Sequence, residues 1–180
     1  NCKLTGIIHL AARAGVRQSL LDPHAYLDTN IIGTLNLLEL SRLSNTPKFV
    51  LASTSSLYGE TNSILIDETN PTDLPLTPYS VSKKSAELLC HSYHAQYSID
   101  ISINRYFTVY GQFGRPDMSI FKFIKLINEN STLTIFGDGN QTRDFTHVND
   151  VAEGTIKSLQ QVGYEIFNLG SNNPVSVNQV

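Results

Sequence analysis

Short β-branched runs alternate with long stretches of helical spacing, and that alternation restricts the possible folds more than any other feature of the chain. Ile7–Leu10 (IIHL) and Lys48–Ser53 (KFVLAS) have strand length, and Ile99–Tyr106 (IDISINRY) is a third such run. Between the first two, Leu27, Ile31, Leu35 and Leu38 recur at helical spacing, with Ile32, Leu40 and Leu43 as a second set. The pattern predicts a helix over roughly 25–43 with more apolar surface than one sheet face uses. A further helix is expected from about 79 to 97, after the turn-rich stretch Pro71–Pro78 (PTDLPLTP). Strands and helices in this order specify a parallel sheet covered by helices, an α/β fold.

Past Tyr110 the pattern changes. Gly111–Met118 (GQFGRPDM) reads as a loop, followed by a helix near residues 119–129. Short strands are predicted at Leu133–Phe136 and Arg143–Val148, on either side of the turn Gly137-Asp138-Gly139-Asn140. A helix near 149–161 and a strand at Glu165–Leu169 complete the readable part. Both ends read as cut from a longer chain, because a strand pattern begins almost at once and residues 175–180 lead toward another element.

The 180 residues are 41% hydrophobic and 16% charged, with a formal net charge of −3. That composition suits an ordinary globular protein. A slight acidic excess without basic runs argues against a nucleic-acid partner. No apolar run approaches the ~18–20 residues of a bilayer span, so no membrane partner is expected. The cysteines, Cys2 and Cys90, form neither a CxxC pair nor a metal spacing. His91 and His94 find no third ligand at matching spacing, so no metal is expected, and the cytoplasm is the default location.

The first chemical signal is Tyr79-Ser80-Val81-Ser82-Lys83. On a helix, positions i and i+4 share a face, so phenol and ammonium project together. A free phenol, with a pKa near ~10, is a poor base at neutral pH. A nearby cation favours the phenolate and makes it usable. Taken alone, the spacing also describes an ordinary surface pair. Upstream, however, Ser53-Thr54-Ser55-Ser56 places four hydroxyls in succession at the end of a buried strand. Ligands of open parallel sheets bind beyond the carboxyl ends of the strands, where these hydroxyls would lie.

Ile8-His9-Leu10-Ala11-Ala12, Asn30 with Gly33-Thr34, STSSLYG at 53–59, YSVSK at 79–83, RYFTVYG at 105–111 and RDFTHV at 143–148 follow one another in order. Together they resemble the extended short-chain dehydrogenases that act on nucleotide sugars, over nearly the whole chain. The resemblance implies a Rossmann-like, doubly wound parallel sheet lacking its N-terminal βαβ units, with a small C-terminal substrate-binding region. Residues 1–110 would form the latter part of an NAD-binding domain, and 111–180 mainly a nucleotide-sugar-binding region, with 140–170 partly returning to the sheet.

The resemblance also assigns roles. Thr54 would bond the sugar hydroxyl being oxidised, Tyr79 would remove its proton, and Lys83 would hold the nicotinamide ribose and tune Tyr79. Ala11 and Ala12 would line the path of the NAD phosphates and ribose. Asn30 would tie strand to helix behind the cofactor, and Phe107 would meet the nicotinamide.

Sugar 4,6-dehydratases carry Asp-Glu after the threonine, and the decarboxylating xylose-forming enzymes Ser-Glu. Here the pair is Ser55-Ser56. Hydroxyls around Thr54, with Thr108, suit a substrate carboxylate through charge-assisted hydrogen bonds. RYFTVYGQFGRPDM resembles the glucuronate 4-epimerase motif RFFTVYGPWGRPDM, departing from it at Tyr106, Gln112 and Phe113. The implied reaction is epimerisation at C4 of UDP-glucuronate through a 4-keto intermediate, with bound NAD recycled. UDP-glucose 4-epimerisation, a xylose-forming decarboxylation and an inactive fragment are the alternatives. Arg143 is expected to grip the diphosphate, Arg115 an anionic part of the substrate, and Phe136 the base. The family's glycine-rich phosphate loop would lie upstream of Asn1, so the 180 residues alone are expected to be inactive. The helix near 25–43 keeps apolar residues on more than one side and the next helix adds Leu88, Leu89 and Tyr93; the resemblance implies that these two helices pair in a homodimer.

Overall fold

The computed structural model describes residues 3–60, 65–135 and 137–180. It divides into two units, one running to Tyr106 and resuming over Thr155–Asn168, the other comprising Phe107–Gly154 and Leu169–Val180.

The first unit is built on a sheet in the order β1-β2-β3-β6, with β1 Ile7–His9, β2 Lys48–Thr54, β3 Asp100–Tyr106 and β6 Tyr164–Leu169. β1 and β3 both run parallel to β2, in the registers Val50↔Ile8 and Ser53↔Arg105. The expected α/β class with a parallel central sheet is therefore present. All seven residues of β2 are buried, the mark of a strand covered on both faces. Phe49, Leu51, Ile101 and Ile103 form the core with Leu38, Ala86 and Cys90 from the covering helices.

The helix predicted over 25–43 is one helical run in three parts: α2 Pro23–Leu27, a π-turn Asp28–Ile32, and α3 Gly33–Leu43. α1, Val16–Ser19, precedes it. Its two apolar sets part company. Leu38 is fully buried, and Leu27, Ile31 and Leu35 are half-buried, whereas Ile32, Leu40 and Leu43 stand 48%, 45% and 67% exposed. The surplus apolar face read from the sequence is thus real.

α4 spans Pro78–Tyr97 and starts sharply. Thr77 accepts the backbone N–H of Ser80, Ser80 accepts that of Thr77, and Pro78 occupies the first turn, where its missing N–H costs nothing. Its buried face is mostly polar: Ser80, Ser82, Lys83 and Glu87 accompany Ala86 and Cys90. Buried polar groups on this scale need partners, and those partners make the site. Leu88 is exposed, but Leu89 and Tyr93 turn to the core, with the Tyr93 hydroxyl on Glu39 at 2.6 Å.

In the second unit β4 (Thr108–Tyr110), β5 (Thr142–His147) and β7 (Pro174–Ser176) form a sheet, β4 parallel and β7 antiparallel to β5. α5 spans Ser119–Asn128, and α6, Val148–Lys157, runs through the division between the units. α6 stops short of the predicted residue 161. The strand expected at Leu133–Phe136 is absent from 133–135, and Phe136 lies outside the described residues. Alternating apolar residues favour a strand only where a neighbouring strand pairs with them.

Candidate active site

In the first unit the site is assembled at the carboxyl end of β2. Thr54 is the last residue of the strand, and the chain then turns into a single 3₁₀ turn, Ser55–Tyr58. The turn is capped by Thr54 itself, whose Oγ1 accepts the N–H of Ser56 at 3.1 Å and donates to the Ser56 Oγ at 3.2 Å. Thr54 is buried, while Ser55 and Ser56 are half-buried. The hydroxyls of Thr54 and Ser56 thus lie together, and positions 55 and 56 carry no carboxylate.

Tyr79 and Lys83 come from the first two turns of α4. Tyr79 is half-buried, with its ring edge-on to Tyr26 at 6.2 Å between centroids. The Lys83 ammonium is 4% exposed and donates to the carbonyl of Ala52 at 2.8 Å, which places it against the end of β2. Burial pulls its pKa down from 10.5 to about 8, opposed in part by Cys90 and Glu87.

Asn30 lies in the π-turn and is 1% exposed. Its amide oxygen accepts the N–H of Arg13 at 2.8 Å, and its Nδ2 donates to the Arg13 carbonyl and to Ser82 Oγ at 3.0 and 2.8 Å. One side chain thereby joins the segment after β1 to α4. The widened turn carries a polar side chain in the interior, a common use of π-turns at functional sites. Ala11 and Ala12 lie on that same segment, the first exposed and the second half-buried.

Behind them His9 is buried, with Nε2 3.0 Å from Thr34 Oγ1. Thr34 spends its own hydrogen on the carbonyl of Asn30, so His9 is the donor, and its Nδ1 is an acceptor without a partner among the described residues. Burial, with the Lys83 charge adding to it, lowers the His9 pKa to about 4 and keeps the ring neutral.

Sequence reasoning missed a buried network beside these groups. Glu87 takes a two-pronged ion pair from Arg105, whose Nη1 also donates to the Tyr58 hydroxyl at 2.9 Å. That hydroxyl donates to Asn168 at 2.7 Å. Two signals were readable: Glu87 continues the 79–83 spacing by one more turn, and an arginine inside an apolar strand demands a counter-charge.

The remaining expected site residues belong to the second unit. Thr108 and Arg115 line one hollow of about 160 Å³, whose walls include Val109, Phe121, Ile124 and Phe145. Arg115 forms an exposed ion pair with Asp117 two residues on, the kind of pair an incoming anion readily replaces. Arg143 is exposed and donates to the carbonyl of Thr142 rather than to Asp144, which is occupied by Ser171 and Asn172. The Phe107 N–H donates to the carbonyl of Leu169 at 3.3 Å.

A parallel sheet with hydroxyls at a strand end and a Tyr/Lys pair on the next helix defines a protein of the short-chain dehydrogenase type. The chain belongs to the NAD-dependent epimerase/dehydratase family, whose model matches residues 1–170. It is 57% identical over 178 residues to a UDP-glucuronate 4-epimerase of Thermodesulfobacterium geofontis, covering 98% of this chain and 55% of that protein. The crystal structure of a UDP-glucuronic acid 4-epimerase from Bacillus cereus, in complex with UDP-glucuronic acid and NAD, superposes with a TM-score of 0.89 at 44% identity. The match covers 97% of this chain and 56% of that one. A UDP-N-acetylglucosamine 4-epimerase from Methanobrevibacter ruminantium gives a TM-score of 0.93 at 32% identity, covering 97% and 57%. The chain spans about half the length of the relatives it matches.

Proposed function

We propose that the whole protein interconverts UDP-glucuronate and UDP-galacturonate by NAD-dependent epimerisation at C4. The observation that carries this reading is the turn after β2, where Thr54 is followed by Ser55 and Ser56 and no carboxylate accompanies them. Hydroxyl donors receive a uronate carboxylate by charge-assisted hydrogen bonds, and they bring no repulsion of their own. The similarity to uronate epimerases supports the same choice over UDP-glucose.

The residues present fit a dinucleotide. Ala11 and Ala12 add little bulk to the segment after β1, and the Lys83 ammonium carries three donors, one of them spent on Ala52. NAD, when bound, takes a hydride from the sugar and gives it back. Lys83 donates to the ribose, and its charge favours ionisation of the Tyr79 phenol. Tyr79 takes the proton of the C4 hydroxyl during oxidation and returns it during reduction. Thr54 bonds that hydroxyl, exchanging its contact with Ser56 for one with the sugar. Arg115 and Thr108 take an anionic part of the substrate, and Arg143 its diphosphate. Asn30 holds the segment after β1 in place.

The proposed assembly is a cytoplasmic homodimer joined through α3 and α4, whose Leu43, Leu88 and Tyr97 are 67%, 59% and 50% exposed. Among the described residues, no helix is long and apolar enough to cross a membrane.

The test is to incubate the full-length protein separately with UDP-glucuronate and UDP-glucose and to separate the epimers by chromatography. Turnover of the uronate is expected, and Tyr79→Phe is expected to abolish it. Ser56→Glu sets a second carboxylate near the first and is expected to slow uronate turnover by about tenfold or more. Efficient turnover of UDP-glucose with none of UDP-glucuronate defeats the reading.

A further inference from the structure

The last two residues of β2 are both polar and buried, and only Thr54 has a part in the chemistry above. Ser53 points elsewhere. Its hydroxyl donates to Oε1 of Glu87 at 2.5 Å. Arg105, opposite Ser53 in the β2–β3 ladder, clamps the same carboxylate, Nε to Oε1 at 3.1 Å and Nη2 to Oε2 at 2.8 Å. Ser53, Glu87 and Arg105 are 4%, 3% and 2% exposed. One carboxylate therefore joins three elements: α4 through its own backbone, β2 through Ser53, and β3 through Arg105.

A buried ion pair contributes little net stability, because desolvation offsets much of the attraction. It does fix geometry. Glu87 lies one helical turn beyond Lys83 and two beyond Tyr79, on the buried face of α4. Ser53 is one peptide bond from Thr54. The Ser53–Glu87 hydrogen bond thus links the helix carrying Tyr79 and Lys83 directly to the strand end carrying Thr54. The Lys83 bond to Ala52 is a second tie between the same two elements, but it is made by a group that must also serve the cofactor.

We propose that Ser53 is a positioning residue whose hydroxyl, held on Glu87, sets Thr54 in place against Tyr79 and Lys83. The inference rests on the epimerase reading for its kinetic consequence, though not for its structural one. Reacting groups displaced by about 1 Å lose on the order of a hundredfold in rate, so a loosened strand end is felt in the chemical step.

The test is Ser53→Ala in the full-length protein. Both Glu87 oxygens keep their bonds to Arg105, so no buried charge is orphaned and the fold is retained. Ser41→Ala is the control: Ser41 is also fully buried, and its hydroxyl donates to the Thr46 carbonyl at 3.0 Å, near the other end of β2. Ser53→Ala is expected to lower kcat by about ten- to a hundredfold while KM for UDP-glucuronate stays within about twofold. The NMR order parameter of the Thr54 methyl group is expected to fall with it. Ser53→Thr, which keeps the hydroxyl, restores both. Ser41→Ala lowers the unfolding midpoint comparably and changes neither.

Unchanged kcat and Thr54 order in Ser53→Ala overturn the proposal, as does an equal loss in the two alanine variants. If the wild-type protein turns over no uronate, the epimerase reading fails on its own. The Thr54 order parameter, compared between the two variants, then still decides the role of Ser53.

Discussion

Two lysines are almost equally buried near opposite ends of β2, and they are provided for in opposite ways. Lys48, at the amino end, is 3% exposed, ion-paired with Asp100 and bonded to Ser102 Oγ at 2.8 Å. Asp100 also accepts the N–H groups of Val162 and Gly163 at 2.9 and 2.7 Å. Although burial works against its charge, Lys48 and these N–H groups hold the Asp100 carboxyl below the usual carboxylate range. Lys83, at the carboxyl end, is 4% exposed and rests on a backbone carbonyl, while Glu87 one turn away is committed to Arg105. A cation that serves only the fold is matched by an anion. Lys83, proposed above to act on a phenol and a cofactor, is left with a neutral partner, at a cost in stability.

That contrast is broken most directly at Asp100. Asp100→Ala leaves the Lys48 ammonium buried without its anion and takes an acceptor from two backbone N–H groups. Removing one partner of a buried pair costs about 3–5 kcal/mol, so the urea midpoint should fall steeply at pH 7. A loss below about 1 kcal/mol would place Lys48 among the inconsequential surface pairs and end the comparison.

Lys83→Met should move stability the other way while removing turnover. In the folded protein Lys83 titrates at about 8, against 10.5 for the ordinary side chain. Below pH 8 both states carry the proton, and the folded state bears the full cost of a buried charge. Between 8 and 10.5 the unfolded chain holds the proton and the folded chain does not, so stability rises with pH. Allowing for the lost bond to Ala52, the methionine variant should be more stable by about 1–3 kcal/mol at pH 7. The gap should shrink as the pH passes 8. Unfolding curves at pH 7 and pH 10 check both the sign and the trend, and a variant less stable at pH 7 refutes it.

The same contrast explains what the sequence made legible. Periodicity located β2, β3 and α4 because burial writes itself into apolar spacing, and the two apolar sets of the 23–43 helix separated into an inner and an outer face. The π-turn inside that helix was not legible, since one widened turn leaves the apolar count unchanged and shows only as a shift of phase. Tyr79, Lys83 and the hydroxyls after β2 stood out because their chemistry is unusual at those places. The Ser53–Glu87–Arg105 network and the Asp100–Lys48 pair were passed over for a physical reason: long-range ion pairs join residues far apart in the chain, and no local pattern records them. The available clues were indirect: a charged residue inside an apolar strand, as Lys48 and Arg105 are, and Glu87 one turn beyond the 79–83 pair. Leu133–Phe136 failed in the opposite sense, with strand-like alternation at 133–135 that no ladder takes up.

The smallest expected effect isolates the neutral part of the Lys48 arrangement. Ser102 is fully buried, and its hydroxyl accepts one of the three ammonium hydrogens, while Asp100 takes another. Ser102→Ala removes an acceptor without removing the counter-charge, and the void it leaves is that of one oxygen. The loss should be about 1 kcal/mol, the usual net worth of a single hydrogen bond. It should also depend on its neighbour. With Asp100 already replaced, Ser102 is the principal group still holding the ammonium, so the second substitution should cost more than it does alone. Both single variants and the double variant, unfolded in urea at pH 7, give that coupling. Strict additivity would mean that Asp100 and Ser102 hold Lys48 independently, and the amino end of β2 would then be no more a unit than the arrangement around Lys83.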